Sequence, residues 1–142
     1  MKPKRVLIAY PDDFQGRSLF TLLQRRGFKI ETAKMVGDII RKVRTNNIHV
    51  ILLDDEVEGV KACDLVSLIK KINPKAQIIV TSSEESVGIL KRLRGAGIFY
   101  QAMKPIDLEE IGCAVQCAFE KIERESPREG FFSLLIPKLA PA

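Results

Sequence analysis

The 142 residues are 46% hydrophobic and 29% charged, enough for one domain with a proper core and too few for two. No stretch approaches the roughly 20 apolar residues that span a bilayer, and Met1-Lys2-Pro3-Lys4-Arg5 runs straight into a strand-like segment with no cleavage-type signal, so a cytoplasmic protein is expected. The net charge of +5 permits weak attraction to acidic partners, but Arg25-Arg26, Arg41-Lys42-Arg44 and Lys70-Lys71 each fall near a predicted helix C-terminus, where cations suit the macrodipole, and nucleic-acid contact is not expected.

Val6-Leu7-Ile8-Ala9 reads as a short buried strand. A helix follows from Phe14 to Arg26, with Leu19, Leu22 and Leu23 on one face and Gly27 closing it. Phe28 to Ala33 reads as a second strand, and Val36, Ile39, Ile40 and Val43 fall at i, i+3, i+4 and i+7 on an amphipathic helix ending near Asn46-Asn47. The third strand is the continuous apolar run Val50-Ile51-Leu52-Leu53, which stops abruptly in Asp54-Asp55-Glu56. Leu65, Ile69 and Ile72 mark a helix stopped by Asn73-Pro74, and Gln77 to Val80 a fourth strand ending in Thr81-Ser82. Ser83 with Glu84-Glu85 predicts the start of a helix that carries Ile89, Leu90 and Leu93 and ends at Gly95 and Gly97. Ile98 to Met103 is the fifth strand, ending in Lys104-Pro105. Asp107 and Glu110 make a capping-box pattern ahead of a last helix through Ile111, Val115, Ala118 and Ile122 to about Glu125.

Five strands alternating with five helices predict an α/β fold: a doubly wound, five-stranded parallel sheet of order 2-1-3-4-5. Its site is expected at the switch point between strands one and three, above Asp12, Asp13 and Asp54. Residues 1–125 read as one domain and 126–142 as a tail or linker stub, because Ser126-Pro127-Arg128-Glu129-Gly130 breaks the helix before the apolar run from Phe131 to Pro137. The odd set Cys63, Cys113 and Cys117 reads as buried reduced thiols. His49, the sole histidine, lies far from any ligand cluster, which argues against a zinc site or a histidine-based triad.

Three strand ends carry chemistry: Leu52-Leu53-Asp54, Val80-Thr81-Ser82 and Met103-Lys104-Pro105. In that order and separation they resemble the receiver domain of two-component response regulators, over about residues 4 to 125. The resemblance implies a flavodoxin-like receiver fold and a phosphoryl group accepted on Asp54 from a sensor histidine kinase. It implies Mg²⁺ as cofactor, with Asp12, Asp13, Asp54 and Glu56 as the metal set, since a hard cation must offset the repulsion between carboxylate and phosphoryl oxygens. It further implies a Thr81 hydrogen bond to a phosphoryl oxygen, a Lys104 charge balancing the group across a cis Lys-Pro peptide, and a changed surface around the fourth helix and fifth strand, read by an output protein. A homodimer through the last helix and strand is also implied. Asp55 is the rival acceptor.

The pattern also departs from the family. Its two adjacent acids after the first strand fall here on Tyr10 and Pro11, and Asp12 and Asp13 follow two residues later, reaching a metal only through a local loop shift. Val57-Glu58 replaces the family's Met-Pro pair and predicts a differently shaped loop. The aromatic three residues before the lysine is Gln101, with Tyr100 expected on the opposite side of the strand. These departures support an alternative, a phosphorylation-independent pseudo-receiver interaction module with a degenerate metal site. A flavodoxin-like nucleotide-binding domain is a third reading, weakened because no Gly-rich phosphate loop follows the first strand.

Overall fold

The computed structural model of the protein describes residues 3–83 and 86–125. The tail 126–142 and Glu84-Glu85, both named above, lie outside the described residues. In chain order the elements are β1 (Arg5–Ala9), α1 (Asp13–Arg25), β2 (Lys29–Ala33), α2 (Val36–Thr45), β3 (Val50–Asp54), β4 (Glu56–Val57), β5 (Val60–Lys61), α3 (Ala62–Ile72), β6 (Gln77–Ser82), α4 (Val87–Ala96), β7 (Tyr100–Met103) and α5 (Leu108–Glu125). Among the described residues, one parallel sheet runs β2-β1-β3-β6-β7. That is the predicted order once the small β4–β5 hairpin is set apart, and the fold is the flavodoxin-like receiver arrangement.

Successive side chains on a strand point to opposite faces, so each central strand feeds two cores. Leu7, Ile51, Leu53, Ile78 and Val80 pack with Ile39, Leu65, Ile69 and Leu93 of α2, α3 and α4. Val6, Ile8, Tyr10, Val50, Leu52 and Ile79 pack with Leu19 and Leu23 of α1 and Val115, Ala118 and Phe119 of α5. Every residue of β3 is buried, which explains why it reads as an unbroken apolar run rather than an alternating one.

Two helix starts differ from expectation, and a third, that of α2, is capped from outside its own segment. Ser86, not Ser83, caps α4, its Oγ accepting from the Ile89 N–H at 3.4 Å. Asp107 Oδ1 accepts from the N–H groups of Glu109 and Glu110, at 2.9 and 3.3 Å. The Glu110 carboxylate, instead of closing the capping box, accepts from the Tyr100 hydroxyl at 2.6 Å. Helix α2 has no cap from its own N-cap residue, Met35; Glu58 Oε1 reaches across from the hairpin and accepts from the Val36 N–H at 2.6 Å. The three cysteines are free as expected, but Cys113 and Cys117 are exposed on α5 rather than buried, and Cys63 is intermediate. No helix among the described residues is long and apolar enough to cross a membrane.

The hairpin replaces the loop expected after Asp54. Val57 pairs with Val60 across Glu58-Gly59, whose φ angles of 52° and 77° give the two successive positive values of a type I′ turn. Gly59→Ala adds a Cβ at a left-handed position with open space around it, so the whole cost is backbone strain, about 1 kcal/mol. Glu58→Ala removes the α2 cap and is expected to cost a similar amount, about 1 kcal/mol. Urea denaturation of the two variants against the parent chain measures both losses.

Candidate functional site at the ends of the parallel strands

The register of the sheet assembles the site. Ala9 pairs with Leu53, Asp54 with Thr81, and Thr81 with Ala102. Tyr10, Asp54, Thr81 and Lys104 continue the alternation of Ile8, Leu52, Ile79 and Ala102, which all face the α1–α5 side. Four residues far apart in sequence thus arrive at the C-terminal ends of neighbouring strands on one face, where an open α/β sheet keeps its ligands.

Asp54 is 8% exposed, and a carboxylate so placed requires pairing. Its Oδ1 lies 2.5 Å from Lys104 Nζ and accepts from the Asp55 N–H at 2.9 Å. Lys104 also donates to Asp55 Oδ1 at 3.4 Å, while Asp55 Oδ2 accepts from the Ser83 N–H and hydroxyl at 3.3 and 3.2 Å. Partial burial pushes the Lys104 ammonium downward, but the hydrogen bond and charge of Asp54, with help from Asp55, outweigh it and hold its pKa above the ordinary lysine value. Partial burial likewise pushes Asp55 upward, and the Ser83 N–H, the Lys104 charge and the Ser83 hydroxyl together bring it below the usual carboxylate value. Lys104 begins a cis peptide to Pro105, and its own N–H donates to the Ser82 carbonyl at 2.9 Å, tying the turn to the end of β6.

Tyr10 was met in the sequence only as an occupant of a position expected to hold an acid. In the structure it is part of the site. Its side chain is 2% exposed, and its hydroxyl lies 2.5 Å from Thr81 Oγ1, which is fully buried. Burial is the main reason the phenol holds its proton well above the ordinary tyrosine pKa; the Thr81 hydrogen bond opposes it, and the lesser effects of the Asp54 and Asp55 charges reinforce it.

The acids after β1 go elsewhere. Asp12 is the N-cap of α1, with Oδ1 accepting from the Gln15 N–H at 3.0 Å. Asp13 forms an exposed ion pair with Lys34, and Glu56 pairs with Lys61 at 2.9 Å across the hairpin. The predicted metal set Asp12, Asp13, Asp54 and Glu56 is therefore not brought together, because the loop after β1 closes directly into the helix cap and performs no shift towards Asp54. Mg²⁺ takes hard oxygen ligands at near-octahedral geometry, with one or two carboxylates anchoring it. Among the described residues no three acids, histidines or cysteines gather to hold a metal. Asp54 is engaged by an ammonium, Pro11 has no side-chain oxygen, and Tyr10 offers a protonated phenol. These residues do not fit Mg²⁺.

Of the predicted acceptor group, Asp54, Thr81 and Lys104 stand side by side. Tyr10 and Ser83 are the additions that sequence reasoning missed. The signal for Tyr10 was its place two residues beyond Ile8, which puts it on the same face as Asp54 and Thr81; Ser83 carried none, since its serine-acid context reads as a helix cap.

The sequence model of the response regulator receiver domain matches residues 6–116. The DNA-binding transcriptional regulator NtrC of Azospirillum brasilense is 29% identical over 119 residues, covering 83% of this chain and 24% of that protein. A cyclic di-GMP phosphodiesterase of Thermotoga maritima is 25% identical over 134 residues, covering 94% of this chain and 36% of that protein. The chain thus spans about a quarter to a third of the curated relatives it matches, and the activities in their names are those of the larger proteins. A CheY-like response regulator receiver domain protein from Methanospirillum hungatei JF-1 superposes with a TM-score of 0.83 at 21% identity, covering 88% of this chain and all of that one. The beryllofluoride-activated NtrC4 receiver domain dimer superposes with a TM-score of 0.78 at 25% identity, covering 84% of this chain and 98% of that one. With the strand order, the Asp54–Thr81 pairing, the Asp54–Lys104 contact and the match across residues 6–116 in agreement, the chain belongs to the response regulator receiver domain family.

Proposed function

We propose that the chain is a cytoplasmic signalling module whose output is a protein-contact face formed by α4, β7 and α5, governed by the cluster around Asp54. The observation that carries this is the Asp54–Lys104 contact of 2.5 Å, which links the end of the central strand to the turn entering α5. The face itself offers apolar contact surface: Val87 is 66% exposed and Tyr100 38%. An output protein is the first candidate partner. A second copy of the chain, docked through α5 and β7, is the other, and the dimer formed by the related NtrC4 receiver supports it.

Family membership supports Asp54 as the acceptor of a phosphoryl group from a sensor histidine kinase. In this reading an Asp54 carboxylate oxygen attacks phosphorus, the phosphorus–nitrogen bond to the kinase histidine breaks, and its electron pair returns to the imidazole. Lys104 balances the added charge and Thr81 hydrogen-bonds a phosphoryl oxygen. A second reading, signalling without phosphorylation, is favoured by one observation: Tyr10 occupies the strand end where an acid is expected and is already bonded to Thr81.

One experiment separates them. Incubation of the full chain with Mg²⁺ and a small acyl phosphate, followed by intact-mass measurement, adds one phosphoryl group that Asp54→Asn abolishes if Asp54 is the acceptor. A folded, unlabelled sample overturns that reading. Under both readings Lys104→Met leaves two carboxylates without their ammonium and is expected to lower stability by about 1–3 kcal/mol in urea denaturation.

A further inference from the structure

Tyr10 and Thr81 are 71 residues apart; Tyr10 directly follows β1 and Thr81 lies on β6, strands that do not pair because β3 runs between them. The contact between their hydroxyls therefore crosses the end of β3, on the side where the alternation of the strand directs Asp54. Tyr10 is 2% exposed and Thr81 fully buried, so the phenol already occupies a hydrogen-bonding position at Thr81 Oγ1 away from water. Breaking the contact leaves polar hydroxyls in a buried setting, which is the costly direction for a hydrogen bond. The charges agree: Asp54 and Asp55 face one ammonium from Lys104, and Tyr10 and Pro11 add no carboxylate that would require a divalent cation.

Resting on the second reading above, we infer that the Tyr10 hydroxyl is the resident partner of Thr81, taking with a side chain of this protein the place of an incoming ion, so that Thr81 and the end of β6 keep one arrangement whatever happens at Asp54. Tyr10 is a positioning residue. It touches no reacting atom and acts on the output face through Thr81, the next-to-last residue of β6.

The test is a double-mutant cycle on the full chain, read by amide hydrogen exchange at Thr81–Ser83 and Val87–Leu90. Tyr10→Phe keeps the ring and the core packing while removing the hydroxyl, and is expected to speed exchange there about tenfold, with β2 and α2 unchanged. Thr81→Val is expected to act alike, Thr81→Ser to resemble the parent, and the double variant Tyr10→Phe/Thr81→Val to be no faster than either single one. Unchanged exchange in Tyr10→Phe, or additive effects in the cycle, overturns the inference. A parallel titration of the parent chain with millimolar MgCl₂ is expected to leave the amide resonances of Asp54, Thr81 and Lys104 in place; concerted shifts there also overturn it. Phosphoryl labelling of Asp54 overturns the second reading whatever the cycle shows, so the two failures are distinguishable.

Discussion

A strand paired along both edges and covered on both faces has no place for an unsatisfied charge, and β3 is such a strand with an acid at its end. Four residues of β3 are apolar and fully buried; the fifth, Asp54, is held by Lys104 and the Asp55 N–H. That requirement organises the rest of the site. Lys104 must reach in from the turn before α5, Asp55 must turn back to share it, and Ser83 must follow Asp55 from the end of β6. The strand ends are coupled because a buried carboxylate couples them.

Tyr10 changes the electrostatic character of this cluster without changing its scaffold. An acid there would add negative charge beside Asp54 and Asp55 and create the need for a divalent cation. A buried phenol adds none and supplies a hydrogen bond instead. The same strand register therefore supports two kinds of site: one completed by ions from solution, the other by a neighbouring side chain. The exposed fates of Asp12 and Asp13, one capping α1 and one paired with Lys34, are consistent with the second.

The sheet was legible in the sequence because strands buried on both faces are written as short unbroken apolar runs, and the helices between them carry their own period. Asp54, Thr81 and Lys104 were legible as strand-end residues in a known order. The β4–β5 hairpin was not: strands of two residues have no periodicity, and Glu58 at φ 52° is an unusual residue for a left-handed turn position. The Glu58 cap on α2 links residues 22 apart, which no local pattern announces. Asp12 stood where a helix cap belongs, and its attraction as a metal ligand obscured the plainer role. Tyr10 was legible only as the residue after the first strand, its partner sits two strands away, and only the register of the folded sheet brings the two hydroxyls together.

The chain has no tryptophan and two tyrosines. One tyrosine is sealed beneath the strand ends against Thr81, and the other bridges β7 to α5 through Glu110. The ultraviolet emission of this chain therefore arises from two phenols, one buried beyond the end of β1 and one partly exposed on β7. Anything that covers Tyr100, or any change that loosens Tyr10, alters that light directly, so the chain carries a built-in optical reporter of β7 and of the strand ends that needs no attached dye.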